Sequence, residues 1–244
     1  MLQDHKADLH VHTCLSPCAE VKMSPSAIVQ RARSLGVDVL GICDHNSTEN
    51  AAAALEAGAR HGVHVLPGME VCSSEEVHLL ALFNALEPAR ALQKIVYANL
   101  PGENDPEFFG LQVIANADDE VLGFSEKLLI GATTLTLEDI VSTTRSLGGL
   151  AVAAHIDRES FSLIGQLGFV PDDLALDALE VSPLLSCSQA SEQYDPDLPI
   201  IQSSDAHTIE EIGRCCTVFS VEQASVDEIR MALSGQDGRR IVRS

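Results

Sequence analysis

Tryptophan is absent from the 244-residue chain, tyrosine occurs twice, and aromatic residues make up only 4%. That leaves little material for a surface that stacks nucleic-acid bases. Positive charge is equally scarce: 15 Lys and Arg stand against 36 Asp and Glu, a formal net charge of −21. Such a surface repels phosphodiester backbones and anionic membranes unless a basic patch or a bound cation reverses the field locally. A nucleic-acid polymer is therefore not expected as the partner. No apolar run approaches the length that crosses a bilayer, and "MLQDHKADL" lacks the basic and apolar segments of a signal peptide. No Pro/Ser/Gly stretch is long enough to separate domains, so residues 1–244 are read as a single domain. The seven cysteines, at 14, 18, 43, 72, 187, 215 and 216, are odd in number and scattered. They do not form a secreted disulfide framework and are expected as reduced thiols in a cytoplasmic protein.

What is present is a regular alternation. Apolar runs at 7–12, 37–43, 63–69, 77–83, 150–154, 176–181, 199–203 and 216–221 predict strands. Helical patterns lie between several of them. "MSPSAIVQRARSLG" offers Ser24 as N-cap, Pro25 in the first turn and Gly36 as terminator. "TLTLEDIVSTTRSLGG" repeats the plan, with Thr136 at the cap, Asp139 three residues on and Gly148–Gly149 at the end. Segments 50–60 and 225–234 are further helices. Strands alternating with helices predict parallel β-α units. Around 111–124 two short strands joined by an acidic turn predict a small hairpin insertion. The basic tail "GRRIVRS" reads as solvated charge, and His61 and His64 as ordinary hydrogen-bonded core histidines.

The chemistry-bearing residues fall at the ends of these runs. His10 and His12 end the first strand, His45 the second and Glu70 the third; His78 opens the fourth. His155 closes "LAVAAH", Glu180 closes "LDALE", and Asp205 and His207 follow "IIQSS". In a β/α barrel the C-terminal strand ends converge on one mouth, so residues from 10 to 207 can meet there. Side chains alternate along a strand, which puts His10 and His12 on one face and Leu9 and Val11 on the other. Asp205 and His207 repeat the i, i+2 device. Imidazole and carboxylate suit Zn, Mn and Fe, and this many donors imply two or more ions. Adjacent Asp44 and His45 cannot both enter the site from a regular strand. His45 is taken as the ligand, with Asp44 orienting a neighbour, starting the next turn or managing protons. Glu180 is read as a contact on a ligand or on substrate. A self-contained His10/His12/Cys14/Cys18 site is the local alternative, disfavoured because partners recur along the whole chain. Cys43 and Cys72 read as small apolar fillers.

"DLHVHT", "GICDHN", "PGME", "VHLLALF", "AAH" and "SSDAH", in that order, resemble the PHP (polymerase and histidinol phosphatase) superfamily. The resemblance spans almost the whole chain. It implies a distorted (β/α)7 barrel carrying two or three divalent metal ions (Mn, Fe or Zn) held by His10, His12, His45, Glu70, His78, His155, Asp205 and His207. One departure stands out. Where most members place a further Asp ligand, this chain reads "LSPCAE", with Pro17 at that position and Glu20 as the nearest carboxylate. "HIDRES" resembles the family's phosphate-contacting arrangement and makes Arg158 the substrate-binding candidate, the alternative being a surface pair with Asp157 or Glu159. The function implied is hydrolysis of a phosphate ester of a small metabolite or nucleotide by a hydroxide bridging the metals, with Asp44 or Asp205 handling protons. Hydrolysis of a non-phosphate ester or amide, and a non-catalytic metal-binding module, are the competing expectations.

Overall fold

Residues 1–194 and 197–242 are described by the computed structural model. In chain order they form β1 (Gln3–Val11), α1 (Pro25–Ser34), β2 (Val39–Ile42), α2 (Ala51–His61), β3 (His64–Cys72), β4 (His78–Leu82) and α3 (Leu86–Ala98). There follow β5 (Val113–Ala115), β6 (Val121–Phe124), α4 (Leu137–Ser146), β7 (Leu150–Ala153), α5 (Leu163–Leu167) and β8 (Ala178–Val181). The chain ends with α6 (Cys187–Tyr194), β9 (Ile200–Gln202), β10 (Thr217–Val221), α7 (Val226–Leu233) and β11 (Arg240–Val242). Nine strands make one sheet in the order β11-β10-β1-β2-β3-β4-β7-β8-β9.

The sheet curls. The chain just after β9 returns to the end of β1, where Val11 and Ala206 form a parallel bridge. Inside the curl, Leu9, Leu66, Leu80, Val152, Ala178 and Ile201 share one apolar cluster. Gly41 faces Leu9 so closely that a Cβ there would lie 2.2 Å from its carbonyl oxygen, so only glycine lets β2 approach β1. Outside, α3 and α4 cover β3, β4 and β7, while α1 and α2 cover β1 and β2.

Strict β-α alternation fails between β3 and β4, at the β5–β6 hairpin and between β9 and β10, the last of which pairs antiparallel with β1 and β11. β3 and β4 are joined directly, and β4 runs antiparallel to both β3 and β7. This reversal matters for the site, because the start of β4 then lies beside the ends of its neighbours. The fold is accordingly a mixed α/β architecture built on a curled sheet. The helix signals hold locally: Pro25 opens α1 behind Ser24, and Thr136 and Asp139 form a reciprocal capping box at α4. Short insertion strands β5 and β6 pair as a separate hairpin, as expected.

Three local expectations are corrected. The β1–β2 register shifts between Asp8 and Val11, so alternation breaks: Leu9 packs inside the curl and Val11 under α1. The basic tail pairs through β11 with β10, and Arg239 bonds Glu228 at 2.7 and 2.8 Å rather than being solvated. His61 and His64 are exposed.

Candidate metal centre

Two protein hydrogen-bond chains fix the first pair of imidazoles. Ser16 Oγ gives its one proton to Asp44 Oδ1 at 2.7 Å, so at 2.9 Å it must accept from Nδ1–H of His12. Nε2 of His12 is thereby left without a proton of its own. Burial and neighbouring His207 and His45 also hold His12 well below the ordinary imidazole range. His10 Nδ1 lies 3.0 Å from Glu180 Oε1, which turns its Nε2 toward the same place, 3.1 Å from that of His12. Both Nε2 atoms lie 3.3 Å from Asp205 Oδ1.

Glu70 is the hub. Its Oε1 is 2.8 Å from His78 Nδ1, 3.0 Å from His155 Nε2 and 3.5 Å from His10 Nε2. Its Oε2 is 3.0 Å from His45 Nδ1 and 3.5 Å from His12 Nε2. Burial alone would raise its pKa, but His78, His10 and His45 hold it well below the carboxylate range. Asp205 is likewise held low against its burial by His10 and His12. Reversal of β4 is what brings His78 in from a strand start.

Irregular backbone aims several of these groups. Asp205 and His207 lie beyond β9 in a loop, not on one strand face, and Asp205 has φ +48°. His207 stacks on His12 with ring centroids 4.2 Å apart. His155 has φ +29°, Phe161 φ +56° and Asn46 φ +52°. Left-handed backbone at non-glycine residues costs free energy and clusters where geometry is imposed by function. Asn46 uses that turn to donate to the carbonyls of Leu129 and Gly131 at 2.7 and 2.8 Å and to accept from Cys72 N. Asn50 similarly holds Val113 and Ala115. The 99–131 insertion is thus pinned beside the site.

Asp44 does not reach the cluster with its own oxygens. They accept from Thr13 N, Thr13 Oγ1 and Ser16 Oγ, all at 2.7 Å, and touch His12 only through Ser16. Glu20 is also outside: its side chain is exposed, and only its backbone N–H is engaged, donating to the His207 carbonyl at 2.9 Å. In its place stands Cys18. Although the residue as a whole is exposed, its Sγ turns inward to 3.2 Å from His45 Nε2 and also faces His207. Partial burial would raise this thiol, yet the two imidazoles pull it down to about 6. Arg158 forms an ion pair with Asp205 Oδ2 at 2.5 Å instead of pairing with Asp157 or Glu159. Glu180 Oε1 lies 3.0 Å from His10 Nδ1.

Sequence reasoning missed Thr13 and Ser16, which tie Asp44 to His12, and Phe161, whose ring stacks on His78 at 4.8 Å. Serine and threonine in "HTCLSP" carry no signal of their own. Only the contact with a buried aspartate reveals them.

Three groups of donor atoms, each within 4.8 Å of one another, fit divalent ions: His12/His45/His207, His10/His12/Asp205 and His45/Glu70/His78. All are nitrogen and carboxylate oxygen donors. Three buried atoms at the same place, His155 Nδ1, Glu180 Oε2 and Asp205 Oδ2, have no protein hydrogen-bond partner, the last having only its ion-pair contact with Arg158. Burial would lower His45, but Glu70 and Cys18 push it up to about 10, and His10 is pushed well above its ordinary value against its burial, chiefly by Glu180 and Asp205. The cluster opens into a cavity of about 210 Å³ reached by Arg158, Phe161 and Ile130. A neighbouring cavity of about 300 Å³ shares His78, His155, Arg158 and Phe161 with it.

The PHP domain family model matches residues 8–161, and a PHP-associated model matches 195–236. YqxK of Bacillus subtilis is 28% identical over 97% of the chain, which spans 63% of YqxK. A 3′,5′-nucleoside bisphosphate phosphatase of Chromobacterium violaceum is 35% identical over 34% of the chain and 30% of its own length. Among solved structures, the lesion-specific endonuclease PfuEndoQ of Pyrococcus furiosus superposes with TM-score 0.75 at 22% identity, covering 98% of this chain and 58% of that one. The chain therefore spans roughly three-fifths of two of these proteins.

Proposed function

The chain belongs to the PHP domain family, and from that premise we propose that it is a metal-dependent phosphoesterase acting on a small phosphorylated metabolite or nucleotide. One observation carries the proposal. In a chain of net charge −21, a guanidinium, Arg158, stands at the rim of a buried His/carboxylate cluster, where the cavity opens. When bound, divalent ions would lower the pKa of water and stabilise charge on phosphoryl oxygens. The residues that would hold them are His10, His12, His45, Glu70, His78, His155, Asp205 and His207. We read the curled sheet as a distorted (β/α)7 barrel whose fourth strand is reversed, and residues 1–244 as one catalytic unit. The seven free cysteines suit a reducing cytoplasm. No helix among the described residues is long and apolar enough to cross a membrane.

The chain's own groups have separable tasks. Arg158 exchanges Asp205 for two oxygens of the substrate phosphate, a geometry its planar fork suits. Asp205, relieved of that ion pair, is free to accept a proton near the reacting phosphate. Asp44 is a positioning residue: through Ser16 it fixes the His12 tautomer whose Nε2 can bind an ion. Ser16→Ala and Asp44→Asn are each expected to weaken metal binding about 10–100-fold. Calorimetric titration of the metal-free chain checks this. Unchanged affinity in both variants would remove the relay.

The deciding experiment combines metal analysis with assays on phosphorylated metabolites, nucleotides, carboxylic esters, amides and an abasic oligonucleotide. Phosphate release from small substrates is expected. Arg158→Ala should lower kcat/KM about 10–150-fold, the equivalent of a charged hydrogen bond worth about 1.5–3 kcal/mol, with partial recovery in Arg158→Lys. Turnover confined to the esters and amides would transfer the site to acyl chemistry. Turnover confined to the oligonucleotide would place this chain with the nucleic-acid enzymes. Metal binding with no turnover would make it a binding module.

A further inference from the structure

The loop between the first strand and α1 presents an unexpected donor to the cluster. Its shape is set by Ser16 N to Thr13 O at 3.1 Å, Ala19 N to Ser16 O at 3.0 Å and Cys14 N to Met23 O at 2.7 Å. Glu20 N, donating to the His207 carbonyl at 2.9 Å, pins the loop over that histidine. The same bond leaves the Glu20 side chain in solvent. The position nearest the imidazoles is thereby given to Cys18, whose Sγ lies 3.2 Å from His45 Nε2 and lines the same cavity as His45, His207 and Asp205.

We infer that Cys18 Sγ is a metal ligand, binding as thiolate beside His45 and His207, so that one ion position has a mixed nitrogen–sulfur donor set. The inference rests on the metal centre proposed above. Distance supports it. An ion about 2.3 Å from sulfur and about 2.0 Å from nitrogen places those two ligands about 3.5 Å apart at a tetrahedral angle. The 3.2 Å separation already present needs little movement to admit it. Of the other cysteines, Cys14 turns to the Val113 carbonyl at 3.7 Å and Cys43 to the Leu9 carbonyl at 3.4 Å, and neither faces an imidazole. On binding, the S–H bond breaks, its electron pair goes to the ion and its proton to solvent. A thiolate makes the position soft. It favours Zn²⁺ or Fe²⁺ over Mn²⁺, whereas an all-carboxylate-and-imidazole position would accept Mn²⁺ readily.

The test uses Co²⁺ as a spectroscopic probe in the full chain, with bound cobalt counted. A thiolate-to-cobalt charge-transfer band is expected in the near ultraviolet for the wild type. It should vanish in Cys18→Ser and persist in Glu20→Gln. In parallel, thiol labelling with mass mapping on Zn²⁺-loaded and metal-free wild type should show Cys18 alone protected by metal. That measurement stands even if Cys18→Ser folds poorly. Cobalt bound without the band, with Cys18 equally reactive in both forms, overturns the assignment while leaving the phosphoesterase reading intact. A band retained in Cys18→Ser overturns it too. The band in a chain that releases no phosphate would uphold the sulfur ligand and sink the phosphoesterase. No cobalt binding would sink both.

Discussion

Glu70→Gln is expected to lower turnover about 10²–10⁴-fold, the equivalent of losing several kcal/mol of metal-borne charge stabilisation. The two carboxylate oxygens touch five different imidazoles, three through Oε1 and two through Oε2. Glutamine keeps the shape and one acceptor but replaces the other oxygen with an N–H₂ donor. That donor faces a histidine nitrogen whose lone pair is needed for the ion, and the charge that offsets the ion is gone. The loss should therefore appear in kcat and in bound metal together, since Glu70 would help hold the ions rather than contact substrate. Metal content and initial rates on the same preparation settle this. A variant that retains full metal and more than a tenth of wild-type kcat would show that Glu70 is not the hub of the cluster.

Metal loading should be one of the largest stabilising events available to this chain. At free ion about 1,000 times Kd, a site that binds only the folded state adds about 4 kcal/mol. For a chain of 244 residues that corresponds to a rise in Tm of about 8–16 °C per site. The effect should depend on pH with a definite sign. In the metal-free chain His45 is held up at about 10, chiefly through Glu70 acting against burial. A raised imidazole pKa gives stability that is complete below about pH 6.5 and lost as pH rises through about 10. Loading removes that proton, so the loaded chain does not suffer the loss. The gain in Tm on loading should consequently widen between about pH 6.5 and pH 9. Differential scanning calorimetry with and without chelator reads both numbers. A gain of under about 2 °C, or one that shrinks across that interval, would count against a multinuclear site at these residues.

How much of the site was legible varies by residue. His10, His12, His45, Glu70, His155, Asp205 and His207 end apolar runs, and that placement was visible because strand ends gather at one mouth. His78 opens a strand and fitted only by resemblance; the reversal of β4 supplies the reason. Asp44 was legible as a residue that could not share the site with His45 and could orient a neighbour, but which neighbour it touches, and through which groups, was not. Its three donors come from Thr13 and Ser16, about thirty residues away in sequence, and no local pattern announces such a contact. Glu20 illustrates the opposite error. Among nearby residues it had the right chemistry for a missing carboxylate, yet the backbone bond to His207 turns it outward and brings Cys18 in.

The sequence by itself determined the alternation of strands and helices, the caps of α1 and α4, the hairpin insertion and the chemistry of the donors. These depend on periodicity, turn residues and side-chain type, all of which act over a few neighbours. Tertiary structure alone decided how the donors are aimed. The curl that carries Ala206 back to Val11, the bulge in β1, the reversed β4 and the left-handed residues at His155 and Asp205 all arise from packing between distant segments. Whether a carboxylate or a thiol completes an ion's coordination depends on displacements of a few ångströms, and those are set by the whole curled sheet rather than by the nine residues that hold His10, His12, Cys14 and Cys18.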